Sequence, residues 1–279
     1  MIRTDAHIHF FSHRFFSLLG ADSVPGFTMP PADPAELAAH WIAELDRHQV
    51  PRAAIIASHP ADLDSVFAAR DAFPDRFVAA GMINPAASNL DSASRLDLLC
   101  LFPALHNFSL SDPRTLELLA AARRPVFIHC GRLSIGVRAK LGLPAEFNSP
   151  EAHPDRVRPL AERFPDLPFL LPHFGAGLFD EALALAAACP NVHFDTSSTN
   201  SWIAAAGLTL AHVFARSLDV LGPTRLLFGT DSSFFPRGWH RAVFDQQLAA
   251  LEQAQVSLAD QQLIFHGNFA RIFAEKNRP

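Results

Sequence analysis

The feature that most limits the fold of this chain is a regular alternation of short apolar segments with longer amphipathic ones. Short runs rich in aliphatic, β-branched and aromatic residues are typical of buried strands, whereas apolar side chains three or four residues apart are typical of helices. Eight segments have strand character: residues 2–10, 53–59, 77–83, 104–108, 126–129, 169–173, 192–196 and 226–231. Strands that alternate with helices in this way predict a parallel α/β sheet.

Helix start signals follow several of the predicted strands. Asp33 precedes a proline at the first helical position and apolar residues at four-residue spacing, and Ser111 with Pro113 repeats this arrangement. Eight strand and helix units without a Gly- or Ser-rich linker favour a single (β/α)8 TIM barrel that spans residues 1–279. A Rossmann fold is the alternative, but Gly175 and Gly177 lack the third glycine of its fingerprint. Pro172 is at odds with a central strand at 169–173.

Composition excludes several classes of protein. The chain has a formal net charge of -5 and only two lysines, so a nucleic-acid partner is not expected. Its three cysteines are widely spaced and form no C-x-x-C pair, which fits a reducing compartment. Neither an apolar leader nor a stretch of about 18 apolar residues is present. We therefore expect a cytoplasmic protein that has no membrane partner.

Two connections are long and apolar. Residues 11–32 follow the first predicted strand, and residues 130–150 follow the fifth. Loops after the strands of a barrel lie on its catalytic face, so these segments could form walls or a lid over a pocket. A separate hydrophobic cluster or a subunit contact is the alternative, and the latter would make the protein a homo-oligomer.

Five side chains are placed where a barrel collects its chemistry. His7 and His9 alternate along the first strand, so both project to one face, about 6.6 Å apart. His129, His173 and Asp231 end three further predicted strands, and the carboxyl ends of barrel strands meet at one mouth. Imidazole and carboxylate groups that converge in this way are typical ligands of a divalent metal ion. The alternative is a set of ordinary hydrogen-bonded histidines.

The motifs that carry these residues resemble the amidohydrolase-2 family of the amidohydrolase superfamily. The motifs are DAHIH at 5–9, FIHC at 127–130, LPHFG at 171–175, FGTDS at 228–232 and HGNFARIF at 266–273. The resemblance implies a metallo-dependent hydrolase barrel with one divalent ion, Zn²⁺ or Mn²⁺, held by residues that match His7, His9, His129 and Asp231. It also implies that His173 handles protons beside the ion.

The residue types at this site suggest how it would act. Three neutral imidazoles and one carboxylate leave a divalent ion with about one positive charge, which lowers the pKa of bound water towards about 7. His173 is suited to exchanging protons near neutrality, and Asp231 could also accept a proton from the attacking water. Residues 102–107 contain neither lysine nor glutamate, which argues against a second ion. Asp5 either orients an imidazole or makes an ordinary hydrogen bond at the barrel floor.

The substrate is expected to be a small organic acid or its lactone or amide. Arg132 and Arg237 are candidate partners for its negative charge, unless they are surface arginines, and Trp239, His59 and His106 are candidate lining residues of the mouth. The first functional hypothesis is a metal-dependent hydrolase. The alternatives are a nonoxidative decarboxylase of a carboxylated aromatic or muconate-type acid and a noncatalytic barrel with a structural metal.

Overall fold

The computed structural model describes residues 1–87, 90–197, 201–233 and 236–274. Within these ranges, short strands alternate with helices along the chain, as the sequence predicts. All but two of the strands, the pair β6 and β7, belong to one parallel sheet. The strands are β1 Asp5–His9, β2 Ala53–Ala57, β3 Phe77–Ile83, β4 Leu98–Leu101, β5 Val126–Ile128, β6 Leu133–Ser134, β7 Glu146–Phe147, β8 Phe169–Leu171, β9 Val192–Asp195, β10 Leu226–Leu227 and β11 Ser232–Ser233.

The strand order shows how the parallel sheet closes. It runs β10-β9-β8-β5-β4-β3-β2-β1-β11. β10 pairs with β9 at one edge, and β11 pairs with β1 at the other. Only residues 228–231 separate β10 from β11, and the Ala6 amide donates a 2.9 Å hydrogen bond to the Phe228 carbonyl. β10 and β11 therefore share the eighth strand position, and the fold is the predicted (β/α)8 barrel.

Helices connect the strands, and several begin where the sequence places a start signal. The side chain of Asp33 accepts a hydrogen bond from the Ala35 amide, while Asp112, rather than Ser111, caps the helix that begins at Pro113. No helix within the described ranges combines the length and apolarity that a membrane span requires. The helices are α1 His13–Leu18, α2 Pro34–Arg47, α3 Leu63–Ala72, α4 Leu90–Ser94, α5 Pro103–His106, α6 Pro113–Ala122, α7 Gly136–Lys140, α8 Arg158–Arg163, α9 Phe179–Ala188, α10 Ser201–Ala205, α11 Leu210–Leu221, α12 Arg241–Gln253, α13 Leu258–Gln262 and α14 Asn268–Ile272.

The predicted fourth strand is wrong. Residues 103–106 form the short helix α5, and the fourth strand is the preceding apolar run Leu98–Leu101. Pro103 explains the difference, because its fixed φ suits the first position of a helix and its nitrogen cannot donate to a strand ladder. Pro172 causes no conflict in the structure. β8 ends at Leu171, and Pro172 begins a turn of 3₁₀ type.

Alternation along the strands separates two apolar layers. In β4, Leu98 and Cys100 point into the barrel, whereas Leu99 and Leu101 pack against the surrounding helices. A parallel sheet buried on both faces explains why these strands read as continuous apolar runs. Phe269 and Ile272 of α14 belong to the interior layer. The last helix thereby covers the end of the barrel opposite the carboxyl ends of the strands.

The two long apolar loops meet in a third hydrophobic cluster. Phe11, Phe15 and Phe16 form its buried part, and Val137 and Leu141 of the second loop pack against them. The Phe11 ring stacks on the His9 ring with centroids 5.1 Å apart. The loops thus form both a separate cluster and a wall beside the first strand.

Candidate metal centre

The structure brings His7, His9, His129, His173 and Asp231 together at the carboxyl ends of the strands. Their candidate ligand atoms fall into two groups, each with all members within 4.8 Å of one another: His7 with His129 and His173, and His7 with His9 and Asp231. His7 belongs to both groups. The five side chains therefore surround one centre rather than two separate ones.

The Asp231 carboxylate and the imidazoles of the centre lie close to one another. Asp231 Oδ1 lies 3.1 Å from His9 Nε2 and 3.7 Å from His7 Nε2. The His7 ring centroid lies 5.2 Å from that of His173 and 5.8 Å from that of His129. The imidazoles and the carboxylate therefore face one another at close range.

Two imidazole nitrogen atoms without hydrogen-bond partners indicate which kind of ligand these residues fit. Among the described residues, His7 Nε2 and His129 Nδ1 are buried and have no hydrogen-bond partner. A buried polar atom without a partner is costly, and coordination to a metal ion would remove that cost. Imidazole nitrogens with one carboxylate form a donor set that Zn²⁺ commonly takes. The residues present therefore fit a divalent metal ion.

The pKa shifts of Asp231, His9, His129 and His173 suit metal binding, and the shift of His7 is the exception. Burial would raise the pKa of Asp231, but the hydrogen bond with His9 and the nearby imidazoles outweigh burial and hold this pKa below its usual range. Burial lowers the pKa values of His9, His129 and His173. Burial also opposes the charge on His7, yet Asp195 outweighs it and raises the pKa of that ring. An ionised carboxylate and neutral imidazoles are the forms that bind metal.

The backbone around the centre is strained. Asp231 has φ 55°, and His173 and Phe174 have φ 57° and 53°, all in the left-handed region that costs energy for residues with a Cβ. Hydrogen bonds from Thr230, the residue before Asp231, to Asp5 help to fix this conformation. The Asp5 carboxylate accepts from the Thr230 amide at 3.1 Å and from the Thr230 hydroxyl at 2.5 Å.

Asp5 takes the second of its two predicted roles. Its other donors are the His7 backbone amide at 2.9 Å and the Trp239 indole N–H at 2.7 Å, and none of its hydrogen bonds within the described part of the chain comes from an imidazole. The carboxylate is fully buried, and burial raises its pKa to about 6. Asp5 thus ties β1 to the Thr230 backbone beneath the centre.

Asp195 and Ser197 are site residues that the sequence analysis missed. Asp195 ends β9, and its Oδ2 lies 3.0 Å from His7 Nδ1. Ser197 Oγ contacts the same carboxylate and lies 3.0 Å from His7 Nδ1 and 3.1 Å from His173 Nδ1. A signal for Asp195 exists in the sequence, because it lies one residue before the end of the predicted strand 192–196. His9 has a comparable partner, since its Nδ1 lies 2.6 Å from Ser58 Oγ.

Gly229 leaves the room that this arrangement needs. A Cβ at this position would overlap the Asp195 carboxylate and lie 2.9 Å from the His7 Cβ. Only a residue without a side chain lets the eighth strand position approach His7 and Asp195 so closely.

The five predicted substrate residues differ in their burial and in their hydrogen-bond partners. Trp239 is buried, and its indole N–H is bonded to Asp5. Arg132 and Arg237 are exposed, and Arg237 donates to Ser233 Oγ at 3.0 Å. His59 accepts from the Ala61 amide at 3.0 Å. His106 lies on α5 and not on a strand; burial and the nearby His59 lower its pKa to about 4.

Phe102 and Phe147, which we call the aromatic wall, extend from His129 of the centre to the guanidinium of Arg138. The Phe102 ring stacks on His129 with centroids 4.8 Å apart, and the Phe147 ring lies 6.1 Å from Phe102. The Arg138 guanidinium lies over Phe147, 5.6 Å from its centroid. Arg138 is not among the substrate residues that the sequence predicts.

Comparison with known families gives a match over nearly the whole chain. The family described as amidohydrolase, the amidohydrolase-2 type, matches residues 4–274. Among curated proteins, Protein fluG of Emericella nidulans is 27% identical over 185 residues, which are 60% of this chain. The aligned part is only 20% of that relative's length.

Solved structures with the same fold cover the whole barrel at low identity. A probable 2-pyrone-4,6-dicarboxylic acid hydrolase from Acinetobacter baumannii with bound citric acid has a TM-score of 0.64 at 16% identity, covering 98% of this chain and 99% of its own. An amidohydrolase from Burkholderia multivorans with bound zinc has a TM-score of 0.61 at 16% identity and the same coverages. A 2,6-dihydroxybenzoate decarboxylase in complex with 2,6-dihydroxybenzoate has a TM-score of 0.60 at 15% identity, covering 98% of each chain.

Proposed function

This chain belongs to the amidohydrolase family, and on that basis we propose that it is a metal-dependent hydrolase of a lactone or amide of a small organic acid. The observation that carries the proposal is the convergence of four imidazoles and one carboxylate at the mouth of the barrel, with the buried His7 Nε2 lacking a hydrogen-bond partner. Active sites of such barrels lie at this face.

One divalent ion is the proposed cofactor, with Zn²⁺ as the first choice and Mn²⁺ as the second. His7, His9, His129 and Asp231 would hold it, and both groups of ligand atoms share His7, which supports one ion. Zinc is bound in the related amidohydrolase from Burkholderia multivorans. When bound, such an ion polarises a carbonyl or carboxylate oxygen and makes water more acidic.

The protein groups have separate roles in this proposal. His173 takes a proton from the attacking water at Nε2 and returns it to the leaving group, because its Nδ1 faces Ser197. Asp231, with Oδ1 3.1 Å from His9 Nε2, would supply one negative charge and leave the divalent ion with about one positive charge. Phe102, stacked on His129, keeps bulk water from that side of the centre.

The proposed substrate is a small planar acid. The aromatic wall offers ring faces for an unsaturated or aromatic body. Arg138 at its far end would bind a carboxylate. Burial, and then the charge of Arg138, lower the pKa of His59, so the guanidinium lies near that ring. Arg132 and Arg237 stay in the proposal as exposed cations near the mouth.

A nonoxidative decarboxylase is the second candidate, and the aromatic wall is the observation that favours it. Ring stacking suits a carboxylated aromatic acid, and a related structure with this fold is a dihydroxybenzoate decarboxylase. In that reaction, His173 would donate a proton to the ring carbon from which carbon dioxide leaves.

Elemental analysis and a substrate panel test the proposal together. Protein purified without chelators and with added zinc is expected to hold about one ion per chain, and His7→Ala is expected to hold far less. The panel consists of lactones, amides and carboxylated aromatic acids, assayed for ring opening and for carbon dioxide release. Ring opening supports the hydrolase, and carbon dioxide release alone supports the decarboxylase.

The remaining outcomes would overturn the proposal. Absence of bound metal in the wild-type protein would exclude both enzymatic hypotheses. One tightly held ion with four protein ligands and no exchangeable water would instead indicate a structural metal site, because catalytic sites keep one position open.

A further inference from the structure

A single buried hydroxyl joins the histidine centre to a carboxylate. Ser197 is 1% exposed, and its Oγ contacts Asp195 Oδ2, His7 Nδ1 and His173 Nδ1. Asp195 is fully buried as well. The hydroxyl thus lies between two rings that the proposed function uses in different ways, one as a ligand and one as a proton carrier.

Counting hydrogens shows which atoms must donate. An ionised carboxylate only accepts hydrogen bonds, so the Ser197 hydroxyl donates its one hydrogen to Asp195, its closest neighbour. Oγ is then an acceptor towards both rings. The other neighbours of the two Nδ1 atoms also accept: Asp195 Oδ2 lies 3.0 Å from His7, and the Ser197 carbonyl lies 3.2 Å from His173.

We propose that Ser197, together with Asp195, is a positioning residue that keeps a proton on Nδ1 of both His7 and His173. A neutral imidazole carries one proton, so this arrangement leaves the Nε2 lone pair of each ring free. His7 Nε2 is the buried, unpartnered atom that lies 3.7 Å from Asp231. The catalytic consequence rests on the proposed function, but the tautomers themselves do not.

This pairing explains why the Asp195 carboxylate contacts Nδ1 of His7 and not Nε2, the atom that would bind the metal ion. The proton on a metal-binding or proton-transferring imidazole is fixed by the bond that its other nitrogen makes. Here one hydroxyl and one carboxylate fix two rings whose centroids lie 5.2 Å apart. Removing either group is expected to disturb His173 or His7 without removing a ligand.

Long-range ¹H–¹⁵N correlation spectra of the metal-free protein test the proposal directly. They are recorded as a series from about pH 7 to pH 10, so that the neutral form of each ring is identified from its own titration, and His7→Gln and His173→Gln assign the signals. The wild-type protein is expected to show the Nδ1–H tautomer for both rings. Asp195→Asn, which introduces a donor, is expected to populate the Nε2–H tautomer of at least one ring.

Ser197→Ala is expected to leave His7 paired with Asp195 and to give His173 a mixture of tautomers. Ser217→Ala is the matched control, because Ser217 is equally buried and its hydroxyl donates to the Val213 carbonyl within α11. Its spectra are expected to equal those of the wild type. If Ser197→Ala does not fold, the wild-type and Asp195→Asn spectra still decide.

A second measurement follows zinc binding by competition with a chelator. Asp195→Asn is expected to weaken zinc binding about 10- to 100-fold, as the loss of an orienting carboxylate does elsewhere. Nε2–H tautomers in the wild type, or identical spectra for Ser197→Ala and the wild type, would overturn the inference. Absence of zinc binding in the wild type, with the Nδ1–H tautomers present, would instead reject only the proposed function.

Discussion

The interior of the barrel has two ends built on the same strands with opposite chemistry. At the lower end, apolar side chains such as Ala54, Val78 and Leu170 fill the space, and α14 covers them. At the upper end, the same alternation places His129 above Phe127 and Asp195 above His193. Along one strand, inward-facing residues only two positions apart therefore belong to the packed lower end and to the titratable centre at the upper end.

This contrast shows where the fold gains its stability and where it loses some. The lower end buries apolar surface completely, which stabilises the folded chain. The upper end holds Asp231, His173 and Phe174 in left-handed conformations that each cost about 1–3 kcal/mol. A well-packed lower end can hold such residues in place, so substitutions at the two ends should affect different properties.

The largest effect is expected for Asp231→Asn at the upper end. Loss of the carboxylate charge beside His7 and His9 should reduce turnover on the order of 10⁴-fold and weaken zinc binding. Asparagine tolerates the left-handed backbone, so the free energy of unfolding of the metal-free protein should fall only by the value of the charged hydrogen bond with His9, about 1.5–3 kcal/mol. Steady-state kinetics and urea denaturation measure the two effects, and unchanged turnover would contradict the assignment of Asp231.

Leu170→Ala at the lower end should show the reverse pattern. The Leu170 side chain is completely buried in the interior layer, so its truncation should lower the free energy of unfolding by about 2–5 kcal/mol. Zinc affinity and turnover of the folded protein should stay close to the wild-type values. A large loss of zinc affinity would show that the two ends are not independent.

Gly229→Ala should damage the upper end without changing any polar group. The new Cβ would collide with Asp195 and the His7 side chain, so turnover should fall about 100-fold. The expected cause is displacement of His7, and chelator competition should therefore show weaker zinc binding. Wild-type zinc affinity in this variant would show that the strand can move aside.

His193 offers a histidine of the lower end for comparison with those at the mouth. Burial, and then the charges of Arg271 and Arg225, lower its pKa to about 3, so it is neutral in the folded protein. The unfolded chain takes up this proton below about pH 6.5, and stability should therefore fall as the pH drops from about 6.5 towards 3. Between pH 7.5 and 5, the wild type should lose about 2 kcal/mol more than His193→Gln in urea denaturation. Parallel losses in both proteins would reject this contribution.

The smallest effect is expected for the arginines around the mouth. Arg138→Ala should raise the KM for an acidic substrate about tenfold, because a charged hydrogen bond of about 1.5 kcal/mol is lost. Arg132→Ala and Arg237→Ala, at exposed positions, should raise it less. The order of the three KM values tests whether the aromatic wall or the outer loops bind the anion.

The sequence predicts those features of the fold and of the site that depend on the spacing of neighbouring residues, and it does not predict contacts between distant ones. The positions of His7, His9, His129, His173 and Asp231 at strand ends follow from periodicity, and the structure brings these residues together. The predicted fourth strand is misplaced because the segment 104–108 is as apolar as the true strand Leu98–Leu101, and a short apolar run does not distinguish a strand from a helix. The position of Arg138 depends on its contact with Phe147 in the same loop and on the contact of Phe147 with Phe102, and no local pattern predicts the second contact.

The sequence by itself determined the order of strands and helices, the apolar faces and the strand-end positions of the titratable side chains, because each depends on the spacing of neighbouring residues. Only the tertiary structure decided that Trp239 bonds Asp5 and that Ser197 bridges His7 and His173, residues 190 and 24 positions away. Hydrogen-bond partners are chosen by distances of about 3 Å. Those distances exist only after closure of the barrel brings its first strand against its last.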